Sequence, residues 1–203
     1  MKSIINEIID LEWNEFQQVK NKGGRASCQD DRLNFQIFRE SQFMSWTKEM
    51  LESYHMDLND AINNGRNLLS EKYARMMEST SPKDYEKIRN ILPEISDEKR
   101  KLIEDVSKIS VNWTEKLSKD YPELSLNGRP IHTYEDTPYT TSSETYLKGE
   151  LSTYSERTLK FYYDYIKQLL YDNKNLVEII MENTIQKYGY ETLKEVEQKV
   201  VKT

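Results

Sequence analysis

The sequence predicts an all-α protein, a single domain built as an irregular bundle of about seven to eight helices. Apolar residues recur at intervals of three and four along nearly the whole chain. No stretch sustains the alternation of a strand. Ser, Asp, Gly and Pro stand where helices of that period would begin and end.

The first helix is expected over 3–20, with Ile4, Ile5, Ile8, Leu11, Phe16 and Val19 facing inward. A loop through Asn21, Lys22, Gly23, Gly24 and Arg25 follows. Asp30 or Asp31 then caps a long second helix that runs to Asn64, where Gly65 marks a break or kink. A third helix covers 66–78 and ends at Thr80-Ser81-Pro82. A short fourth covers 83–92 and stops at Pro93. Ser96 caps the fifth, which carries Leu102, Ile103, Val106, Ile109, Trp113 and Leu117 and stops at Tyr121-Pro122. Residues 121–141 hold Gly128, Pro122, Pro130 and Pro138 without helical period, and are expected as a long irregular loop of the kind that covers sites. Ser142 or Ser143 caps a sixth helix reaching 172, and two more cover 176–187 and 191–201, separated by Tyr188-Gly189-Tyr190. No internal repeat is visible.

Composition narrows the function classes. The 203 residues suit one domain, 1–203, with 32% charged and 36% apolar residues, and fourteen tyrosines to add burial. A net charge of −6 argues against a general nucleic-acid binder and against docking on anionic membranes. No apolar stretch approaches the length of a membrane span. The first apolar run is broken by Asn6, Glu7, Asp10 and Glu12, so no signal peptide is read and the cytoplasm is the expected location. Cys28 is the single cysteine, which leaves no intramolecular disulfide and no thiolate zinc cage.

The candidates for chemistry are charges on apolar faces. Glu12 lies four residues from both Ile8 and Phe16. Arg39, Gln42 and Asp57 share a helical face with Phe35, Trp46 and Met50. Glu150 and Tyr154 share one with Leu147 and Phe161. Buried charge is costly unless paired or put to use. Such a set is either a salt-bridge network that fixes helix register or a pocket in which Glu12, Asp57 and Glu150 move protons. Arg25, Arg39 and Arg66 are the candidate anion holders, with Gln42, Tyr73 and Tyr154 orienting a ligand. Gly24 beside Arg25 can form an anion-binding nest, although a Gly-Gly pair is also an ordinary turn. Glu52-x-x-His55 occurs once, where di-iron bundles use two copies, so no metal ligand is assigned; a carboxylate-only magnesium or manganese site from Glu12, Asp57, Glu78 and Glu150 is the open alternative, and the cofactor is left unknown.

Five segments carry a resemblance to a known family. They are Gly23-Gly24-Arg25-Ala26, Gly65-Arg66-Asn67-Leu68, Lys72-Tyr73-Ala74-Arg75-Met76-Met77-Glu78, Thr141-Ser142-Ser143-Glu144-Thr145-Tyr146-Leu147, and Gly149-Glu150-Leu151-Ser152-Thr153-Tyr154-Ser155. Through them the chain resembles, over nearly its whole length, an uncharacterised bacterial family known only as a domain of unknown function. The resemblance implies a small bacterial cytoplasmic domain and carries no catalytic residues with it. The expectation from the residues is therefore a pocket protein for a small anionic or zwitterionic ligand, with acid/base chemistry as its extension. The contrasting expectation is a non-catalytic helical interaction module whose buried charges are structural.

Overall fold

The computed structural model describes residues 1–21, 23–126 and 128–200, with Val200 given by its backbone alone. Lys22 in the glycine loop, Asn127 in the 121–141 segment and Val201 at the expected end of the last helix lie outside the described residues. Among the described residues there are eleven α-helices: α1 Lys2–Gln18, α2 Arg32–Phe43, α3 Lys48–Asn63, α4 Leu68–Thr80, α5 Pro82–Ile88, α6 Asp97–Asp120, α7 Pro122–Ser125, α8 Ser143–Leu151, α9 Glu156–Tyr171, α10 Leu176–Lys187 and α11 Leu193–Val200. No strand forms among them beyond an isolated bridge between Thr137 and Thr140.

The helix number exceeds the expected seven to eight for a local reason. Two stretches that read as single long helices are each broken by a hydroxyl-rich segment, residues 44–47 and 152–155. Ser45 donates its hydroxyl to the Gln42 carbonyl at 2.6 Å, and Thr47 Oγ1 accepts the Met50 N–H at 3.3 Å to start α3. Thr153 donates to the Glu150 carbonyl at 2.7 Å, and Ser155 Oγ accepts the Thr158 N–H at 3.1 Å to start α9. Such side chains offer the backbone an alternative to continuing a helix and then cap the next one. Trp46 and Tyr154 are buried inside the breaks, so the apolar period runs straight across them.

Residues 121–141 are irregular for most of their length but contain α7 and a 3-10 turn, Thr133–Glu135. The Glu197 carboxylate accepts the N–H groups of Glu123 and Leu124 at 2.9 and 2.8 Å, closing the start of α7. Asp136 accepts the Ser142 N–H and the Thr145 hydroxyl, both at 2.6 Å, and also the Ser79 hydroxyl. The segment is thus tied to α4, α8 and α11.

The two broken helices are equivalent parts of one repeated unit. Gln42 and Glu150 lie 108 positions apart. The same separation carries the end of α2 onto the end of α8, and α3 onto α9 at both ends. It also carries Asn67 onto Asn175 and the start of α4 onto the start of α10. Gly65 and Asn173, related in the same way, both adopt positive φ, 68° and 54°. Asn67 and Asn175 each cap the helix that follows and return a side-chain N–H to an earlier helix. The acceptors are the Glu15 carbonyl of α1 at 2.9 Å and the Trp113 carbonyl of α6 at 3.0 Å. The unit α1–α2–α3–α4 therefore matches α6–α8–α9–α10. Identity survives at few positions, among them Leu51 and Leu159, Tyr54 and Tyr162, Leu68 and Leu176. That is why the repeat is invisible in the sequence.

The halves pack about an approximate twofold axis. The α4 helix of one half lies on α8 of the other, and α10 on α2. Trp46 meets its equivalent Tyr154 at 5.8 Å between ring centroids. Trp46 meets Tyr162 at 5.5 Å, and the mirrored contact, Tyr54 with Tyr154, is 5.0 Å. Reciprocal contacts of this kind are the mark of an isologous interface. The main core lies on this interface, with Phe43, Trp46, Tyr54 and Leu58 facing Leu151, Tyr154, Tyr162 and Ile166.

Candidate functional site

The charged residues of the inner faces meet beside the twofold axis. Glu12, Arg39, Lys72 and Glu150 are 0%, 8%, 3% and 5% exposed, so water does little to screen them. Each comes from a different helix: α1, α2, α4 and α8. Arg39 grips Glu12 with both prongs, Nε to Oε2 at 2.6 Å and Nη2 to Oε1 at 2.5 Å. Its Nη1 donates to Gln42 Oε1 at 2.7 Å and to Glu150 Oε1 at 3.1 Å. Gln42 donates to the same Glu150 oxygen at 2.9 Å, and Lys72 Nζ donates to Glu150 Oε2 at 2.6 Å. Tyr54 donates to Glu12 Oε1 at 2.7 Å and Tyr154 to Glu150 Oε1 at 2.8 Å. Two acids and two bases cancel, and every carboxylate oxygen has a donor.

This pairing decides the protonation states. Burial alone would raise the Glu150 carboxyl, but Arg39 and Lys72 hold it well below the usual carboxylate range. Burial would lower the Arg39 guanidinium, and Glu12 and Glu150 raise it well above its ordinary value instead. Burial pushes the hydroxyls of Tyr54 and Tyr154 far up, with the Glu12 and Glu150 charges adding to it, so both remain proton donors. The cluster is a fixed ionic lattice under ordinary conditions.

Two cavities flank it. The first, about 440 Å³, is lined by Arg39, Gln42 and Lys72 of the cluster, by Tyr73 and Arg129, and by Phe16, Phe35 and Leu69. The second, about 320 Å³, is lined by Glu150 and mainly by apolar side chains, including Leu147, Val177 and Met181. Gln42, Arg129, Tyr146 and Ile180 line both. Two cations lie over the Tyr146 ring, Lys72 Nζ at 3.6 Å and Arg129 Cζ at 4.7 Å from the centroid. Burial, with Tyr146 beside it, keeps the Tyr73 hydroxyl above its ordinary pKa and protonated.

The structure brings Glu12, Arg39, Gln42, Glu150 and Tyr154 into one cluster and places Tyr73 on the adjoining cavity. The remaining candidates lie elsewhere. Gly24 is exposed with φ 90°, serving a turn. Arg25 is exposed and bonds Asp30 at 2.8 Å, the Gln29 carbonyl at 2.8 Å and the Gln17 side chain, so it holds its own loop together. Arg66 is exposed and pairs twice with Glu71, at 2.8 and 2.7 Å. Asp57 accepts the Ser155 N–H at 2.8 Å, beyond the helix break that separates its helix from Arg39 and Gln42. His55 faces Glu7 at 3.6 Å and Glu52 faces Lys48 at 3.3 Å.

Lys72, Arg129 and Tyr146 were not among the candidates. Lys72 had a signal of the kind that marks Glu12, since it lies four residues from both Leu68 and Met76 on the inner face of α4. Arg129 and Tyr146 had none, because the irregular 121–141 segment sets their approach. Comparison with known proteins adds a family and no activity. A family model described as a protein of unknown function (DUF4125) matches residues 2–198, so the chain belongs to that family. No curated protein and no solved structure matches the chain.

Proposed function

We propose that this member of the DUF4125 family is a small-molecule binding protein whose first cavity takes the anionic group of an anionic or zwitterionic metabolite. One observation carries the reading: Arg39, Lys72, Arg129, Gln42 and Tyr73 converge on a single cavity of about 440 Å³ with aromatic and aliphatic walls. A few convergent polar groups in a largely apolar hollow of this size are the ordinary make-up of a ligand site. Asp31 at the same cavity offers a carboxylate to the ammonium of a zwitterion. The saturated carboxylates of Glu12 and Glu150 favour binding over proton transfer, because a base needs a free lone pair and an acid needs a proton. They support a positioning role in which the ionic lattice holds Arg39 and Lys72 still for the ligand.

The same saturation favours the second reading, in which the charges are purely architectural and the chain is an interaction module. A thermal-shift screen of small carboxylates, phosphates and amino acids separates the two. Arg129 is exposed, so Arg129→Ala should melt with the parent protein while losing the ligand-induced shift. If no anion in the panel shifts the parent protein, the binding reading fails and the architectural one stands.

A further inference from the structure

The two cavities are themselves a repeated pair. Phe35, Arg39, Gln42, Leu69, Lys72 and Tyr73 line the first. Their equivalents in the other half, Ser143, Leu147, Glu150, Val177, Ile180 and Met181, all line the second. Phe16 of α1 and Thr114 of α6, which correspond through the two asparagine caps, also line one each. The scaffold therefore presents the same hollow twice, and side-chain chemistry has made the copies different. Where the first has Arg39, Lys72 and Tyr73, the second has Leu147, Ile180 and Met181. Glu12 beside the first is replaced in the register of α6 by Ser110, so among the described residues Glu150 and the shared Arg129 are the charged side chains that line the second hollow, and they carry no net charge together.

We infer that the pair forms one bipartite site for a single amphipathic anion, its anionic head in the cationic hollow and its hydrocarbon chain in the apolar one. The inference rests on the binding function proposed above and names the ligand class. Two features support one ligand over two. The hollows share Gln42, Arg129, Tyr146 and Ile180, so they adjoin at those four side chains. Those shared residues are also mixed in character, with Arg129 and Gln42 suited to a head group and Tyr146 and Ile180 suited to a chain. A single molecule that crosses them satisfies both ends. A short anion leaves the second hollow unfilled, and a neutral alkane derivative leaves the cations of the first without an added partner.

The test is a titration of the full chain with straight-chain carboxylates from butanoate to decanoate, and with decanol, followed by calorimetry. Affinity should rise about fourfold per methylene once the chain enters the second hollow, the equivalent of roughly 0.8 kcal/mol per buried CH₂. Decanol should bind about tenfold or more weakly than decanoate, for want of a charge-assisted hydrogen bond. In Met181→Glu the chain-length dependence should vanish. In Arg129→Ala all the carboxylates should weaken together. The series on the parent protein stands without either variant, should one fail to fold. Butanoate and decanoate binding equally would overturn the bipartite site and leave the anion pocket intact. Binding of two ligands per chain, or a Met181→Glu that keeps the chain-length dependence, would overturn it too. If no carboxylate of any length binds and the anion panel is also silent, the binding function itself fails and takes this inference with it.

Discussion

Glu150 reaches Lys72 with one oxygen and Arg39, Gln42 and Tyr154 with the other, all of them away from bulk water. Replacing it with Gln keeps the shape and removes the charge, taking from buried Lys72 its acid and leaving Arg39 with Glu12. Breaking a buried pair in this way costs about 3–5 kcal/mol, so Glu150→Gln should show a lower urea midpoint at unchanged slope. Glu15 presents the opposite case. It is buried, with Arg66 acting on it electrostatically but not bonded to it, its Oε2 accepts the Leu68 N–H at 3.1 Å, and its Oε1 has no hydrogen-bond partner among the described residues. Burial raises its carboxyl from 4.5 to about 7, against the lowering pull of the Leu68 and Leu69 N–H groups. The folded state then keeps a proton that the unfolded chain releases near pH 4.5. Stability from this group is complete below that pH, falls as pH rises through about 7, and is level above. The span corresponds to about 3 kcal/mol at most. Glu15→Gln should remove the slope, unfolding at higher urea than the parent protein at pH 8 and at similar urea at pH 4.5. Glu12, Arg39 and Glu150 were legible in the sequence because a charge on an apolar stripe stands out. What each one bonds was not, since the partners come from five helices and one helix break, and a stripe gives no rotation between them.

At the scale of the element, the two hydroxyl-rich breaks set the geometry of the site. Each turns the chain directly after a residue of the cluster, Gln42 in one half and Glu150 in the other, and each starts the next helix from a capping hydroxyl. Thr47→Ala and Ser155→Ala should each cost about 1 kcal/mol, the usual worth of a cap, and differential scanning calorimetry should show a small downward shift for both. Gly149 controls a second dimension, the approach of α8 to α4. A Cβ there would meet the Met76 Cγ at 2.9 Å and the Lys72 carbonyl at 3.0 Å. Gly149→Ala should therefore push the helices apart and destabilise the fold by about 1–3 kcal/mol, visible as a reduced melting temperature, although alanine is the better helix former. Helix caps at Ser96 and Ser142 and the stop at Gly65 could be read directly from the sequence. The breaks at 44–47 and 152–155 could not, because Trp46 and Tyr154 keep the apolar period in phase while the backbone turns. Serine and threonine at both sites were the available sign.

At the scale of the molecule, each half completes the other. The first half holds Glu12, Arg39 and Lys72, and the second supplies Glu150 to them. The exposed stretch around Pro93 and Glu94 connects the two units, so a chain cut there should behave in a defined way. Residues 1–93 and 94–203 produced together should co-purify with native helicity. Either piece alone should lack a cooperative thermal transition, since its share of the interface core would face water. The uncut chain should unfold in one step, and two separated calorimetric peaks would count against a shared core. The axis between the halves carries a constraint that the single chain escapes. In a dimer of identical subunits, whatever residue faces the axis faces a copy of itself. Glutamate at that place would set two carboxylates against each other, and glutamine would leave Lys72 without its acid. Joined end to end, the halves are free to differ where they touch, and Gln42 against Glu150 at 2.9 Å is that freedom in use. Covalent linkage thus acts here as a licence for specialisation: one side of a shared seam can become an ion trap while the other stays greasy, with no change to the backbone that carries both.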